Sequence, residues 1–353
     1  MTHPQTFLCE DLLIEIFSKL PIKSLLRFQC LSNSLKSLIS NPIFVKLHLL
    51  NSRKNTNILL EFTRFFKETL TLVDYSLSSI VNDFRFDSRL KYKFEVVGSC
   101  NGLVCLVTQP SSKREKYLVC LWNPITKSKS YKPRLLVHSH SYSCITIFGF
   151  GYDSLSDTYK VVVAHFNSSE LVQGSIQSEV TIYNNRDNCW RNIQSFPGFP
   201  ILGETRGLYL NDTINWVATS IVDYSWNYSF YIVSLHLGNE TYKQLSLPSC
   251  FGRARPSLGI LKDHLCASYD DSNTTHFNLW QMNEYGVESS WTKLLKLSYA
   301  RGTFKNDRLI LIKMIDGKLQ ATTVYRQEGN IVILRKKKLW TYTKDYVPSL
   351  VAP

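Results

Sequence analysis

The 353-residue chain lacks the local signatures of most catalytic and metal sites. It has no GxSxG, HExxH, GxxxxGKS/T or EF-hand pattern, which removes the short-motif routes to acyl transfer, zinc hydrolysis, phosphate cradling and calcium binding. Its nine cysteines form no CxxC pair and no zinc-finger spacing, and their odd number argues against a complete disulfide framework. Reduced, mostly buried thiols in a cytosolic or nuclear protein are therefore expected. No basic region leads into an apolar stretch at the N-terminus and no run of eighteen apolar residues occurs, so neither a signal peptide nor a membrane span is expected. Acidic residues are the scarcer charge, 28 against 41 Lys and Arg, and the net +13 tilts the chain toward an acidic partner. The densest basic run, Arg335 to Lys338, follows the strand-like "IVIL" and lies on no recognition helix, so it leaves no nucleic-acid footprint.

What is present divides the chain in two. Apolar residues make up 44% and charged residues 20%, which excludes disorder by composition, and the length calls for a small module plus a larger domain. From Glu10, the positions Leu12, Leu13, Ile16, Phe17 and Leu20 paint one side of a helix that Pro21 ends. Ser24 is a cap for a second helix over "LLRFQCL", Ser34 for a third over "LKSLI", and Asn41-Pro42 opens a fourth over "IFVKLHLL". Helices this short cannot bury all that apolar surface among themselves, so something else must cover it.

Beyond about residue 57 the period changes to two. Glycine-led strand pairs, marked by Gly102, Gly151, Gly207 and Gly259, alternate with pairs closing on Tyr131, Trp190, Tyr242 and Trp291. Spacings of 49, 56 and 52 for the glycines and 59, 52 and 49 for the aromatics give one period near fifty, the length of a four-stranded kelch-like propeller blade. Hairpins over "NILLEFTRFFKETLTLVDY" and "RLILIKMIDGKLQATTVY" extend the count to five to seven blades, with six favoured.

Isolated polar features carry less. His138 and His140 lie two apart with no third metal ligand, Gly149 to Asp153 precedes a strand and lacks a helix N-terminus, and Asp270-Asp271 sits among turn signals. The marker aromatics repeat from blade to blade, which points to packing.

"LCEDLLIEIFSKLPIKSLLRFQCLSNSLKSLISNPIF", Leu8 to Phe44, resembles an F-box, and "GSCNGLVCL", "LWNPITKSKSYKP", "FGFGYDSLSDTYKVV" and "VTIYNNRDNCWRNI" are similar to the F-box-associated interaction domain of plant F-box proteins, the S-locus F-box type among them. The resemblance implies an α+β multidomain chain: an F-box at 5–50, a connecting segment with a first hairpin at 51–92, and an all-β, kelch-like β-propeller recognition domain at 93–345. It implies a non-catalytic receptor of an SCF-type cullin-RING ubiquitin ligase, with no cofactor, metal, nucleic acid or membrane partner. Its partners would be a Skp-type adaptor, through it a cullin scaffold, and a target protein; its place would be the cytoplasm, the nucleus or both. Leu8, Leu13, Ile16, Leu20, Pro21, Leu25 and Leu31 fall on the apolar F-box positions that bury against the adaptor or within the module, and the resemblance makes them the adaptor-binding set. Cys9, Asn33 and Leu35 depart from the pattern, standing where proline, a basic residue and tryptophan are usual; the last exchange removes about 1–2 kcal/mol of apolar burial. The alternative is a glycan-binding or enzymatic propeller with a helical cap.

Overall fold

The computed structural model describes residues 9–52, 57–64, 67–73, 80–85, 94–108, 116–131, 135–136, 144–167, 178–201, 205–222, 227–261, 263–271, 276–298, 308–315, 318–327, 330–332, 339–340, 342–347 and 349–353, with strand backbone alone over 57–85 and 308–346. Four helices come first: α1 (Glu10–Phe17), α2 (Ile22–Phe28), α3 (Asn33–Ser40) and α4 (Pro42–Ser52). Pro21 sits in an extended conformation just ahead of α2, as its fixed φ and missing N–H require. Ser24 lies inside α2 and caps nothing. The cap of α3 is Ser32, whose hydroxyl accepts from the Leu35 N–H at 3.2 Å, with the Ser34 hydroxyl 3.0 Å away. Asn41 caps α4 as expected, its Oδ1 accepting from the Ile43 N–H at 2.8 Å.

The β-region is a series of antiparallel four-stranded sheets. Blade I holds Phe94–Cys100, Leu103–Thr108, Val119–Asn123 and Ser128–Tyr131; blade II holds Cys144–Asp153, Thr158–Asn167, Ser178–Asn184 and Cys189–Ile193. Blade III holds Thr213–Val222, Asn227–His236 and Tyr242–Ser246, with Leu208–Leu210 and Phe199–Pro200 both pairing on its first long strand. Blade IV holds Ser257–Leu261, His264–Asp271, His276–Met282 and Trp291–Ser298. The inner strands of successive blades neighbour one another, and burial falls from centre to rim. Leu103–Thr108 and Val119–Asn123 are buried at every position, whereas Cys189–Ile193 and Tyr242–Ser246 are mostly exposed.

Four blades are described with their side chains. The hairpins at either end of the β-region, expected as further repeats, belong to two more four-stranded sheets described by strand pairing alone. One joins Arg308–Ile315 to Lys318–Gln327, Asn330–Val332 and Leu339–Trp340; in the other, Tyr342–Tyr346 pairs antiparallel with Asn57–Arg64. The first and last strands of the β-region thus share one sheet.

Apolar clusters fill the seams between blades. Three marker aromatics pack there: Trp190 lies against Tyr183 at 5.2 Å, Tyr242 meets Phe196 edge-on at 5.9 Å, and Trp291 joins the cluster between blades III and IV. At Gly151, a Cβ would stand 2.3 Å from Cδ2 of Tyr209, so the seam between blades II and III closes only over a bare backbone. Asp270 and Asp271 end a strand of blade IV, which corrects their reading as a turn. His138, His140, the basic run at 335–338 and Leu8 lie outside the described residues. Four of the eight described cysteines are exposed (Cys9, Cys30, Cys189 and Cys250), more than the mostly buried set expected.

Candidate docking surfaces

The helical module builds a miniature core from Phe17, Leu25, Ile39 and Phe44, with Leu13, Leu20, Phe28 and Leu35 packed around it. Phe17 and Phe28 stack at 5.2 Å. His48, buried in α4, ties the module together: its Nε2–H donates to the Leu20 carbonyl at 2.9 Å, which leaves Nδ1 to accept from the Ser52 hydroxyl at 3.3 Å.

This core sorts the sequence-derived docking residues. Leu25 is fully buried inside the module, because the α2 face it occupies closes onto Phe17, Ile39 and Phe44. Leu13 and Leu20 are half-buried on that core. Ile16, Pro21 and Leu31 are exposed, Leu31 to 70%. Leu12, one helical turn before Ile16 and 47% exposed, belongs with them and was marked only as a helix-face position by the sequence. Cys9 and Asn33 are exposed, and Leu35 covers the core's edge.

Burial lowers the His48 pKa below its usual 6.5, against the opposing pull of the Leu20 carbonyl. A depressed histidine favours the folded state above the unfolded pKa, and that advantage fades as the unfolded chain protonates first. The helical signal should therefore melt at lower temperature at pH 5.5 than at pH 7.5, and His48→Gln should flatten the difference; circular dichroism melts at the two pH values read this directly.

The module sits at the end of the blades where first and second strands turn, since α4 Lys46 pairs with Asp157 of the blade II turn at 2.6 Å. Strand direction puts the second-to-third connections and the blade-to-blade crossings at the opposite end. A cavity of about 180 Å³ lies at that far end, floored by Val97, Val107 and Phe148 and rimmed by Glu95, Thr108, Tyr117, Thr146, Thr205 and Arg206. Its wall is held by hydrogen bonds from the Phe148 N–H to Thr205 O (2.7 Å) and from the Gly207 N–H to Phe148 O (2.6 Å). Inside it, the Tyr117 hydroxyl donates to Thr146 Oγ1 at 3.3 Å. An apolar floor with one acidic, one basic and several hydroxyl groups at the mouth is suited to holding a single side chain of a partner. A shallower cleft on the rim runs between Trp280 and Trp291. Among the described residues no three His, Cys, Asp or Glu side chains gather as a metal site, and no helix is long and apolar enough to cross a membrane.

Comparison with known proteins gives two family models. One, described as an F-box domain, matches residues 7–47, and the other, an F-box associated beta propeller domain, matches residues 56–352. An F-box/kelch-repeat protein of Arabidopsis thaliana is 30% identical over 86% of this chain and 84% of its own length. The Arabidopsis F-box protein CPR1 is 27% identical over 80% of this chain and 71% of its own.

Proposed function

The chain belongs to the F-box proteins that carry an F-box associated β-propeller domain, and from that membership and its two-ended geometry we propose that it is the substrate-recognition subunit of an SCF-type ubiquitin ligase. The module over 10–52 docks on a Skp-type adaptor, and the β-domain after residue 57 holds a target protein. The observation that supports this best is the opposition of surfaces: exposed Leu12, Ile16, Pro21 and Leu31 at one end, the 180 Å³ cavity at the other. A receptor so built performs no bond chemistry. It raises the effective concentration of a target lysine at the charged ubiquitin-conjugating enzyme, so transfer becomes nearly intramolecular. The surplus of 13 positive charges favours an acidic target by long-range attraction, in cytoplasm or nucleus.

Capture of the purified chain with the adaptor, then affinity capture from proteasome-inhibited cells, tests both ends. Thr205→Trp, which fills the cavity, should cut target recovery at least tenfold, a loss of about 1.4 kcal/mol, and leave adaptor retention unchanged. Failure of the wild-type chain to hold the adaptor would sink the docking half; equal target recovery with Thr205→Trp would sink the placement of the recognition site.

A further inference from the structure

Two links between the helical module and the blades are described. The Lys46–Asp157 pair is half-exposed on both sides, and such pairs add little to stability. The other link is the C-terminal segment. Ser349 is fully buried against blade I: its hydroxyl donates to the Asn101 carbonyl at 2.6 Å. Asn123, also fully buried, donates from Nδ2 to the carbonyls of Ser349 (3.0 Å) and Val351 (2.8 Å), while its Oδ1 accepts from the Ile125 and Thr126 N–H groups. Gly102 completes the pocket, with φ +79° and no Cβ; a Cβ there would stand 2.1 Å from Ser349 Oγ and 2.8 Å from the Val347 carbonyl. Successive side chains then part company: Leu350 packs on the Phe17–Leu25–Ile39–Phe44 core of the module, and Val351 packs on the core between blades I and II.

We propose that blade I carries a peptide socket, made by the Asn101-Gly102 turn and Asn123, whose ligand is the chain's own Ser-Leu-Val segment, and that filling it fixes the orientation of the helical module on the propeller. The recognised class is an extended peptide with a small hydroxyl residue followed by two aliphatic ones. Both functions are met in one short segment because its successive side chains face opposite sides, Ser349 and Val351 toward the blades and Leu350 toward the module. Where the proposed ligase role holds, the tail also sets which lysines of a bound target face the conjugating enzyme.

The test needs no adaptor, so it fails or succeeds independently of the docking reading. Zero-length carbodiimide cross-linking of the full chain should join Lys46 to Asp157, whose atoms already touch, and peptide mass spectrometry reads the yield. Asn123→Asp keeps the acceptor for Ile125 and Thr126 and loses both donations to the tail; the yield should fall about tenfold, the worth of two hydrogen bonds. Hydrogen exchange should rise at 349–351 and in α1 and α2, with blade III unchanged. Leu350→Asp, which leaves the socket intact, should lower the cross-link in the same way. If Asn123→Asp speeds exchange throughout the blades, the Leu350→Asp result decides. An unchanged cross-link in Leu350→Asp overturns the proposal, as does a Lys46–Asp157 cross-link found only between isotopically distinct copies.

Discussion

Leu25→Ala should unfold the helical module, whereas Leu12→Asp combined with Ile16→Asp should leave it folded and abolish adaptor binding. Leu25 has no exposed surface and sits among Phe17, Ile39 and Phe44, so its truncation opens a cavity costing about 2–5 kcal/mol. A four-helix module of this size has little stability to spare. Leu12 and Ile16 are each 47% exposed on one face of α1, so carboxylates there keep their hydration in the free protein. On a partner they would be buried unpaired, which is strongly unfavourable. Helical circular dichroism and adaptor affinity, measured on the same samples, separate the two effects. Loss of helicity in the double aspartate variant, or full affinity in it, would refute the assignment of that face. Both results matter because an aspartate at Leu25 would abolish binding through unfolding alone and prove nothing about contact.

The second large effect is expected at Lys160. This lysine is 5% exposed in its side chain, with Nζ 2.9 Å from Asp153, 3.2 Å from Glu240 and 2.6 Å from the Leu237 carbonyl, and Arg191 also reaches Glu240. The network pins blade II to the turn of blade III that closes on Gly238. Lys160→Met keeps the aliphatic stem and strands Asp153, whose side chain is 1% exposed. Removing one partner of such a buried pair costs about 3–5 kcal/mol, a large share of a typical domain's stability. Urea unfolding should show the midpoint drop at pH 7. Burial works to raise the Asp153 pKa, but the hydrogen bonds from Ser156 and Lys160 and the lysine's charge outweigh it, and the carboxyl titrates below its usual 3.8. A depressed carboxylate contributes stability above the unfolded pKa and loses it as pH falls through the folded one. In wild type, then, acid below about pH 4 weakens the seam. In Lys160→Met the sign reverses, since protonation removes an uncompensated charge, and the deficit relative to wild type should narrow at pH 4. A deficit that is constant with pH would mean that packing, rather than charge, carries the lysine's contribution.

The sequence made the division into helices and strands legible because the hydrophobic period itself changes near residue 57 and then recurs in units of about fifty. It placed Asn41 at a helix start and Trp190, Tyr242 and Trp291 in packing roles, both consequences of local chemistry. It misjudged Ser34, because Ser32 and Ser34 are equally good caps and the turn after Leu31 decides between them. Leu25 was legible as an apolar helix position and no further: periodicity marks a face, and cannot say whether the face closes on its own chain or on another. The closure of the first sheet was hidden for a related reason, since a hairpin's pattern does not state which strand completes its sheet. Nothing in the pattern of "PSLVAP" announced a strap, for its partners lie more than two hundred residues away at Asn101 and Asn123.

The seat of Leu350 has a consequence for the order of events on the ribosome. The four helices precede the blades along the chain, yet their core takes in Leu350 from beyond the last strand, and the strand Asn57–Arg64 likewise waits for Tyr342–Tyr346. Contacts at such separation form late and slowly. A helical module whose core takes in Leu350 therefore keeps an open seam until the segment after the blades has been made and seated.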